Sequence, residues 1–479
     1  MRISPVLHII GLILLFLSVM MLLPLVFSIY YKDGSTESIL ISQGITCLGG
    51  FLLFKFTSTG GELRIREGFG IVTFGWLFVV LFGSLPFMIS GSITNFTDAF
   101  FESMSGFTTT GATILTDIEI VPQGILLWRS MTQWLGGMGI IVFSLAILPF
   151  LGIGGMQLFK AEVPGPVPDK LRPRIKETAK ILWGVYLIFT AAEIVFLMIG
   201  KMSLFDALNH TFTTLATGGF STKNASVGHY NSVYIDIVII FFMFCAGVNF
   251  SLHFFGLRGN FKEYWKNKEF KFYTGIAVVA IIIVTIDIFS HYQNVGQALR
   301  YSVFQVVSIG TTTGYGTADY ELWSPLSQFI LFVLMFIGGS AGSTGGGAKV
   351  IRFMILIKQG LVELKKSLHP MGIIPTRIDK KTIPIETVTN VLAFLMIFIG
   401  SFVIASAIMM MLGLDMISAF GSVAASLGNI GPGLGIVGPT DNYAAIHMLG
   451  KWVLSFCMLL GRLELYTVLV VLYTDFWKK

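Results

Sequence analysis

Thr312-Thr313-Gly314-Tyr315-Gly316 is the run whose residue types and order come closest to chemistry. Glycine adopts the positive-φ conformations that aim successive carbonyls the same way, and a threonine ahead of it adds a hydroxyl oxygen. Oxygens aligned in that manner replace the water around a dehydrating cation. Three other runs keep the central glycine: Thr109-Thr110-Gly111-Ala112, Ala216-Thr217-Gly218-Gly219 and Asn429-Ile430-Gly431-Pro432. Aligned on Gly111, Gly218, Gly314 and Gly431, they recur at intervals of 107, 96 and 117 residues.

A second constellation is Gly338-Gly339-Ser340-Ala341-Gly342-Ser343-Thr344-Gly345-Gly346-Gly347-Ala348-Lys349. It is not a P-loop, because Ala348 stands where the lysine must follow the last glycine, and no strand precedes it. A glycine-rich stretch inside an apolar run is costly as helix, at roughly 1 kcal/mol per glycine relative to alanine. Unwound backbone at membrane depth is tolerated only where it is buried in protein or lines a water-filled cavity. Arg462 lies well inside the last apolar run, where an ionised side chain points to function; a salt bridge or snorkelling contact, with Glu464 as partner, is the plainer reading. Glu102, Arg129 and Glu193 are flanked by apolar residues and are expected to pair or pack. Asp98 and Asp206 fall in first turns of short helices, where an anion suits the helix N-terminus. The seven histidines and three cysteines (Cys47, Cys245, Cys457) form no HExxH or CxxC pattern, so no catalytic metal site is expected.

The elements that must position these groups follow from composition. The 479 residues are 54% hydrophobic and 12% charged, against about 25% charged in soluble chains. Ten runs are long enough for a bilayer: about 5–30, 38–56, 69–90, 123–150, 178–200, 232–256, 272–290, 324–356, 385–412 and 444–474. The first is too long for a cleaved signal peptide and is expected to remain as a span. Shorter segments near 97–110, 204–217, 297–312 and 416–428 have the length of re-entrant half-helices, and a glycine run follows each. The order long helix, short helix, glycine loop, long helix therefore repeats four times. The predicted fold is all-α and integral to the membrane: four pseudo-symmetric helix–pore-helix–filter–helix repeats around one pore, preceded by two extra transmembrane helices. The predicted divisions are 1–60 for those two helices, then repeats over 61–156, 157–260, 261–366 (containing the intramembrane glycine loop) and 367–479.

Charge gives the orientation. Segments 55–67, 157–176, 258–271 and 358–381 are rich in lysine and arginine, whereas the segments holding the glycine loops are not. The basic side is expected to be cytoplasmic, with both termini there and the four glycine loops entering from outside. The net charge of +6 is spread over these loops, which argues against a nucleic-acid partner.

Potassium channels build their filter from four TVGYG loops, and 312–316 departs from that pattern only by threonine for valine. With its four degenerate filters, its two extra N-terminal helices and the 338–349 stretch, the whole chain resembles the membrane subunit of bacterial Trk-type potassium uptake proteins, in the Trk/Ktr/HKT superfamily. The resemblance implies a pore in each protomer of a homodimer, seated in the bacterial cytoplasmic (inner) membrane, with a cytosolic nucleotide-binding regulatory ring of the RCK type. It implies K⁺ as the transported ion and no organic cofactor. The filter would comprise Thr109, Thr110, Gly111, Ala216, Thr217, Gly218, Thr312, Thr313, Gly314, Asn429, Ile430 and Gly431. The gate would comprise Gly338, Gly339, Gly342, Gly345, Gly346, Gly347 and Lys349, with Arg462 as a barrier in the pore. Only the third loop has a full GYG, so modest preference for K⁺ over Na⁺ is expected. A symporter coupling K⁺ to H⁺ or Na⁺ is the competing reading; an enzyme would need clustered acidic or histidine side chains that the sequence lacks.

Overall fold

The structure is a computed structural model describing residues 1–61, 63–139, 175–370, 372, 374–378 and 381–478. Two N-terminal spans come first: α1 (Ile3–Met20) continued by α2 (Leu22–Tyr31), then α3 (Thr36–Phe56). The first repeat is α4 (Ile65–Gly83) with α5 (Leu85–Ile89), the short α6 (Phe96–Phe107), and α7 (Gln123–Trp134), which passes into a π-helical turn at Leu135–Gly139. The second is α8 (Ile175–Ile199), the short α9 (Leu204–Leu215), α10 (Val233–Ala246) and α11 (Phe250–Leu257). A small α12 (Lys262–Lys266) leads to the third: α13 (Lys268–Tyr292), the short α14 (Val295–Gly310), α15 (Pro325–Ile337) and α16 (Val350–Leu368). A two-stranded antiparallel hairpin, Arg377–Ile378 with Lys381–Thr382, precedes the fourth: α17 (Ile385–Met411), the short α18 (Met416–Gly428), α19 (Met448–Arg462), α20 (Tyr466–Leu472) and the terminal α21 (Thr474–Trp477).

In hydrocarbon the backbone must satisfy its own polar groups, so long apolar runs become helices. Among the described residues six helices are long and apolar enough to cross a bilayer, and two sharply bent pairs raise the number to eight. Of the two remaining expected runs, 123–150 leaves the described residues after Gly139, and 324–356 is interrupted at 338–349. The basic segment 157–176 lies outside the described residues up to Arg174, as does the boundary at 156/157.

The distribution of side chains is that of a bilayer protein. Aliphatic and methionine side chains such as Ile286, Met396 and Met411 stand out from the surface at 71%, 78% and 84% exposure. Inside, the short helices bring together buried serines and threonines, among them Ser105, Thr213, Ser308 and Ser426. The N-terminal Arg2 reaches Glu67 at 2.6 Å, and Arg66 donates to the Lys478 carbonyl at 2.5 Å. Both chain ends therefore lie beside the same interhelical turn, on one side of the molecule.

The four short helices are 12, 12, 16 and 13 residues long. Twelve helical residues span about 18 Å, roughly half of a bilayer core. Each begins on a side chain that accepts from a free N–H of its first turn: Asn95, Ser203, Asn294 and Asp415. Asp98 and Asp206 fall in the first turns of their helices as expected, three residues after the caps Asn95 and Ser203. Asp206 shares its cap with Ser203 in a reciprocal pair, and Asp98 instead pairs with Lys451 at 2.6 Å.

Candidate ion pathway

Each short helix ends in the same backbone device. The amides of Thr110, Gly218, Thr313 and Ile430 donate to carbonyls five residues back, on Ser105, Thr213, Ser308 and Ala425, at 2.8, 2.8, 2.8 and 2.9 Å. The residue before each donor turns left-handed: Thr109 (φ 53°), Thr217 (53°), Thr312 (64°) and Asn429 (54°). Two residues further on stands a glycine at positive φ: Gly111 (84°), Gly219 (77°), Gly314 (81°) and Gly431 (102°). Left-handed residues spaced by two aim successive carbonyls to one side. Asparagine tolerates that conformation, but for β-branched threonine it is strained, and strain of this kind gathers at functional sites.

This corrects the second repeat by one residue. Alignment on Gly218 places Ala216-Thr217-Gly218 in the filter, whereas the dihedrals and amide bonds place Thr217-Gly218-Gly219 opposite Thr109-Thr110-Gly111. Ala216 is the helix C-cap of α9, in right-handed conformation. Two adjacent glycines hid the register; the threonine two residues ahead of the positive-φ glycine in the first and third loops would have revealed it.

The four loops close a ring. A Cβ built on Gly111 would run into the Gly218 carbonyl oxygen, one on Gly219 into that of Thr313, and one on Gly314 into that of Ile430; one on Gly431 would stand 2.8 Å from the Thr110 oxygen. Each glycine thus faces the carbonyl that precedes the matching glycine of the next loop, and the fourth returns to the first. A vestibule opens above, touching Gly111, Gly219, Gly314 and Gly431 together with Lys223, Asp441 and Tyr443. The C-terminal ends of the four short helices, where the partial charge is negative, immediately precede this ring.

Side chains behind the ring hold it. Glu102 accepts from the Thr113 hydroxyl and the Ile114 amide at 2.9 Å each, and pairs with Arg129 at 2.7 Å. Arg129 also donates to the Ser221 carbonyl and lies 3.5 Å over the Phe220 ring. Glu102 and Arg129, expected to pair or pack, thus pair with each other and tie the first loop to the second. Gln133 donates to the Gly218 carbonyl at 2.7 Å and accepts from the Phe220 amide at 3.1 Å. Tyr315 is fully buried, with its hydroxyl donating to the His210 carbonyl at 2.9 Å and bonded to Thr213. Tyr320 and Tyr443 donate to the Gly433 and Gly431 carbonyls at 2.7 and 2.6 Å. Gln133 and Tyr320 carry no signal in the sequence, since each acts on a loop far away along the chain, and Tyr443, which acts on its own loop, stands in no pattern that marks it.

Beneath the ring lies the 338–349 loop, with Gly338, Gly342, Gly347 and Lys349 at φ 70–73°. The Gly346 amide donates to the Thr312 hydroxyl at 2.6 Å, and the Thr344 hydroxyl to the Leu215 carbonyl at 2.8 Å. A Cβ on Gly346 would strike the Gly428 carbonyl, and one on Gly338 the Gly346 carbonyl. Gly339 and Gly345 pack together, a Cβ on Gly345 standing 3.3 Å from the Gly339 nitrogen. The buried Lys349 ammonium donates to the Gly345 carbonyl. The loop is thus a packed plug touching the second, third and fourth repeats.

Arg462 links this plug to the first repeat. Its guanidinium donates to the Thr344 carbonyl at 2.8 Å and to the Gly136 and Gly137 carbonyls of the π-helical turn, the latter at 2.9 Å. The proposed partner Glu464 instead binds Arg352 at 2.5 Å. At the same level the other repeats are broken too. The α10–α11 pair bends by 109° and the α19–α20 pair by 119°, with Glu464 and Leu465 at positive φ. Sequence reading found the third break alone, because only there do six glycines fall within ten residues of an apolar run.

The chain matches the TrkH cation transport protein family over residues 41–478. It is 42% identical to the Trk system potassium uptake protein TrkH of Salmonella typhimurium, with all of both chains covered. It is 33% identical to TrkG of Escherichia coli K12, covering all of this chain and 99% of that one. Its fold superposes on the crystal structure of the potassium transporter TrkH from Vibrio parahaemolyticus with a TM-score of 0.90 at 38% identity, over the full length of both.

Proposed function

Since the chain belongs to the TrkH family of cation transport proteins, we propose that it carries potassium into the cell through a channel-like pore filtered by the four-loop ring. The observation that bears most weight is the closure of that ring. Four loops of unlike sequence share one pattern of amide bonds and positive φ, and each glycine meets the next loop's carbonyl. Backbone oxygens so arranged replace the hydration shell of a monovalent cation. Thr109, Thr110, Gly111, Thr217, Gly218, Gly219, Thr312, Thr313, Gly314, Asn429, Ile430 and Gly431 form the filter in this reading. Three loops lack the tyrosine of the third, which supports modest K⁺ preference with passage of Rb⁺ and some Na⁺.

The 338–349 loop is the gate, and Arg462 is its latch as well as a positive charge below the filter. The basic segments face the cytoplasm of a bacterial cell, placing both termini there. The protein works as a homodimer on a nucleotide-binding regulatory ring. Reconstitution of purified protein in vesicles, with K⁺, Rb⁺ and Na⁺ fluxes compared, tests the function. K⁺ and Rb⁺ entry well above Na⁺ is expected, and equal rates for all three would remove the filter assignment.

Coupling to protons is the second reading, and Glu193 favours it. Its carboxyl oxygens are fully buried in α8 without a hydrogen-bond donor among the described residues. The facing hydroxyl of Thr214 is already committed to the His210 carbonyl at 2.7 Å. A reversal potential that follows the K⁺ gradient and ignores pH supports the pore; one that moves with the proton gradient supports the symporter.

A further inference from the structure

Away from the pore, between the second and third repeats, lies an apolar cavity of about 580 Å³. Its walls include Phe189, Phe244, Val248, Tyr264 and Phe270. The polar groups in it are spoken for: His253 bonds the Tyr264 hydroxyl at 2.8 Å and the Cys245 carbonyl at 2.7 Å. What remains is a hydrocarbon surface. Its rim is open, with Phe241, Leu257 and Phe261 exposed at 57%, 54% and 65%.

The cavity sits at the basic end of the molecule. The turn from α11 to α13 carries Arg258, Lys262, Lys266 and Lys268, all exposed. Arg258 stands 4.5 Å over the Phe254 ring. The acidic side chain on α12, Glu263, is neutralised by Lys266 at 2.7 Å. Trp265 on the same short helix is 68% exposed. An exposed tryptophan among lysines, beside an apolar slot, is the composition of a segment lying in the membrane interface. Basic pockets between transmembrane helices on the cytoplasmic side select anionic headgroups.

We propose that this cavity binds an anionic phospholipid, an acyl chain filling the slot and the phosphate resting on Arg258 and Lys262. The occupant would touch the break between α10 and α11. Gly247 in that break accepts from the Ser340 amide at 2.8 Å, and Phe250 donates to the Gly342 carbonyl at 3.0 Å. A bound chain therefore braces the wall on which the 338–349 loop hangs. That consequence rests on the gate reading, whereas binding itself does not.

The test is lipid retention by the purified full-length protein, followed by native mass spectrometry after exchange into equal phosphatidylglycerol and phosphatidylcholine. About tenfold preferential retention of phosphatidylglycerol is expected, lost in the Arg258→Gln, Lys262→Gln double variant, because each cation near the surface contributes attraction to anionic lipid. Both positions are exposed, so the variant keeps its fold. Independently, phosphatidylglycerol with a photoreactive acyl chain should label the 241–270 segment of the unaltered protein. Equal retention of the two lipids, unchanged retention in the variant, or labelling elsewhere overturns the proposal. So does a variant that keeps its lipid and loses a soluble partner, which would make this face a protein-docking surface.

Discussion

The ring of four loops and the collar of helix breaks beneath it are built on opposite plans. In the ring, four unlike sequences converge on one backbone: the left-handed residue, the amide bond to the fifth residue back, and the positive-φ glycine recur in every loop. In the collar, the matching helix of the second, third and fourth repeats is interrupted by a different device each time, a 109° bend, a twelve-residue loop and a 119° bend, while that of the first passes into a π-helical turn where the described residues end. Equivalence above suits a site that must surround a spherical ion. On the proposed gate reading, inequivalence below lets a single segment move while its neighbours form its seat.

The largest effect should come from breaking the equivalence above. Gly219→Ala drives a Cβ into the Thr313 backbone oxygen, which cannot move without displacing the third loop. Near-complete loss of Rb⁺ uptake is expected, with normal protein in the membrane. Gly218→Ala meets the Gln133 side chain instead, which can rotate, and should retain much more flux. The reverse ranking of the two variants would restore the register that glycine alignment suggests.

Next in size is the latch. Arg462 holds the plug to the first repeat through three carbonyls. Arg462→Gln should raise basal flux several-fold in vesicles lacking the regulatory ring. Arg462→Lys separates two roles. Lysine keeps the positive charge but is a point donor without the planar fork. A latch predicts that the lysine variant opens like the glutamine variant; a purely electrostatic barrier predicts that it stays closed.

A smaller effect is expected at Gln133, which makes the ring slightly unequal by donating to the Gly218 carbonyl. That carbonyl is shared between the amide and the pore. Gln133→Leu frees it, and one hydrogen bond contributes about 1 kcal/mol, so the K⁺/Na⁺ flux ratio should change by about fivefold. A ratio unchanged within twofold would mean that this oxygen does not meet the ion.

How far the sequence could be read follows the same division. Hydrophobic length and loop charge carried the spans, because a bilayer imposes both on every helix alike. The ring was legible at Gly314, where the residues spell a known filter, and misread by one at Gly218, where Gly219 offered an equal glycine. The bend at 463–465 left no mark, since Leu463 and Leu465 look like ordinary helix residues, whereas that at 247–249 was marked by Gly247 and Asn249 and passed over as the interior of an apolar run. At 463–465 the cause is tertiary, as Glu464 is drawn to Arg352; at 247–249 it is local, as Asn249 caps α11 by accepting from the Ser251 amide. The contacts of Arg462 could not be read either, as its partners are backbone carbonyls more than a hundred residues away.

The smallest expected effect lies outside both rings and tests whether the N-terminal helices are held independently of them. Asp33, in the turn between the first two spans, accepts from the Gly124 amide at 2.6 Å, from Ser28 at 2.6 Å and from Ser35 at 2.9 Å. Burial pushes its carboxyl up, but these donors outweigh burial and hold it below the ordinary carboxylate range. A carboxyl lowered by folding adds stability above its unfolded value, near pH 4, and loses it as pH falls through the lower folded value. Asp33→Asn should therefore lower stability by about 1 kcal/mol at neutral pH, after discounting for partial exposure. The difference from the unaltered protein should shrink as pH falls below 4, when the carboxyl is protonated in both states. Thermal unfolding in detergent across that range measures it, while ion selectivity should stay unchanged. A shift in selectivity would show that the N-terminal spans reach the filter through Gly124 and α7, and the two rings would no longer be mechanically separate from what precedes them.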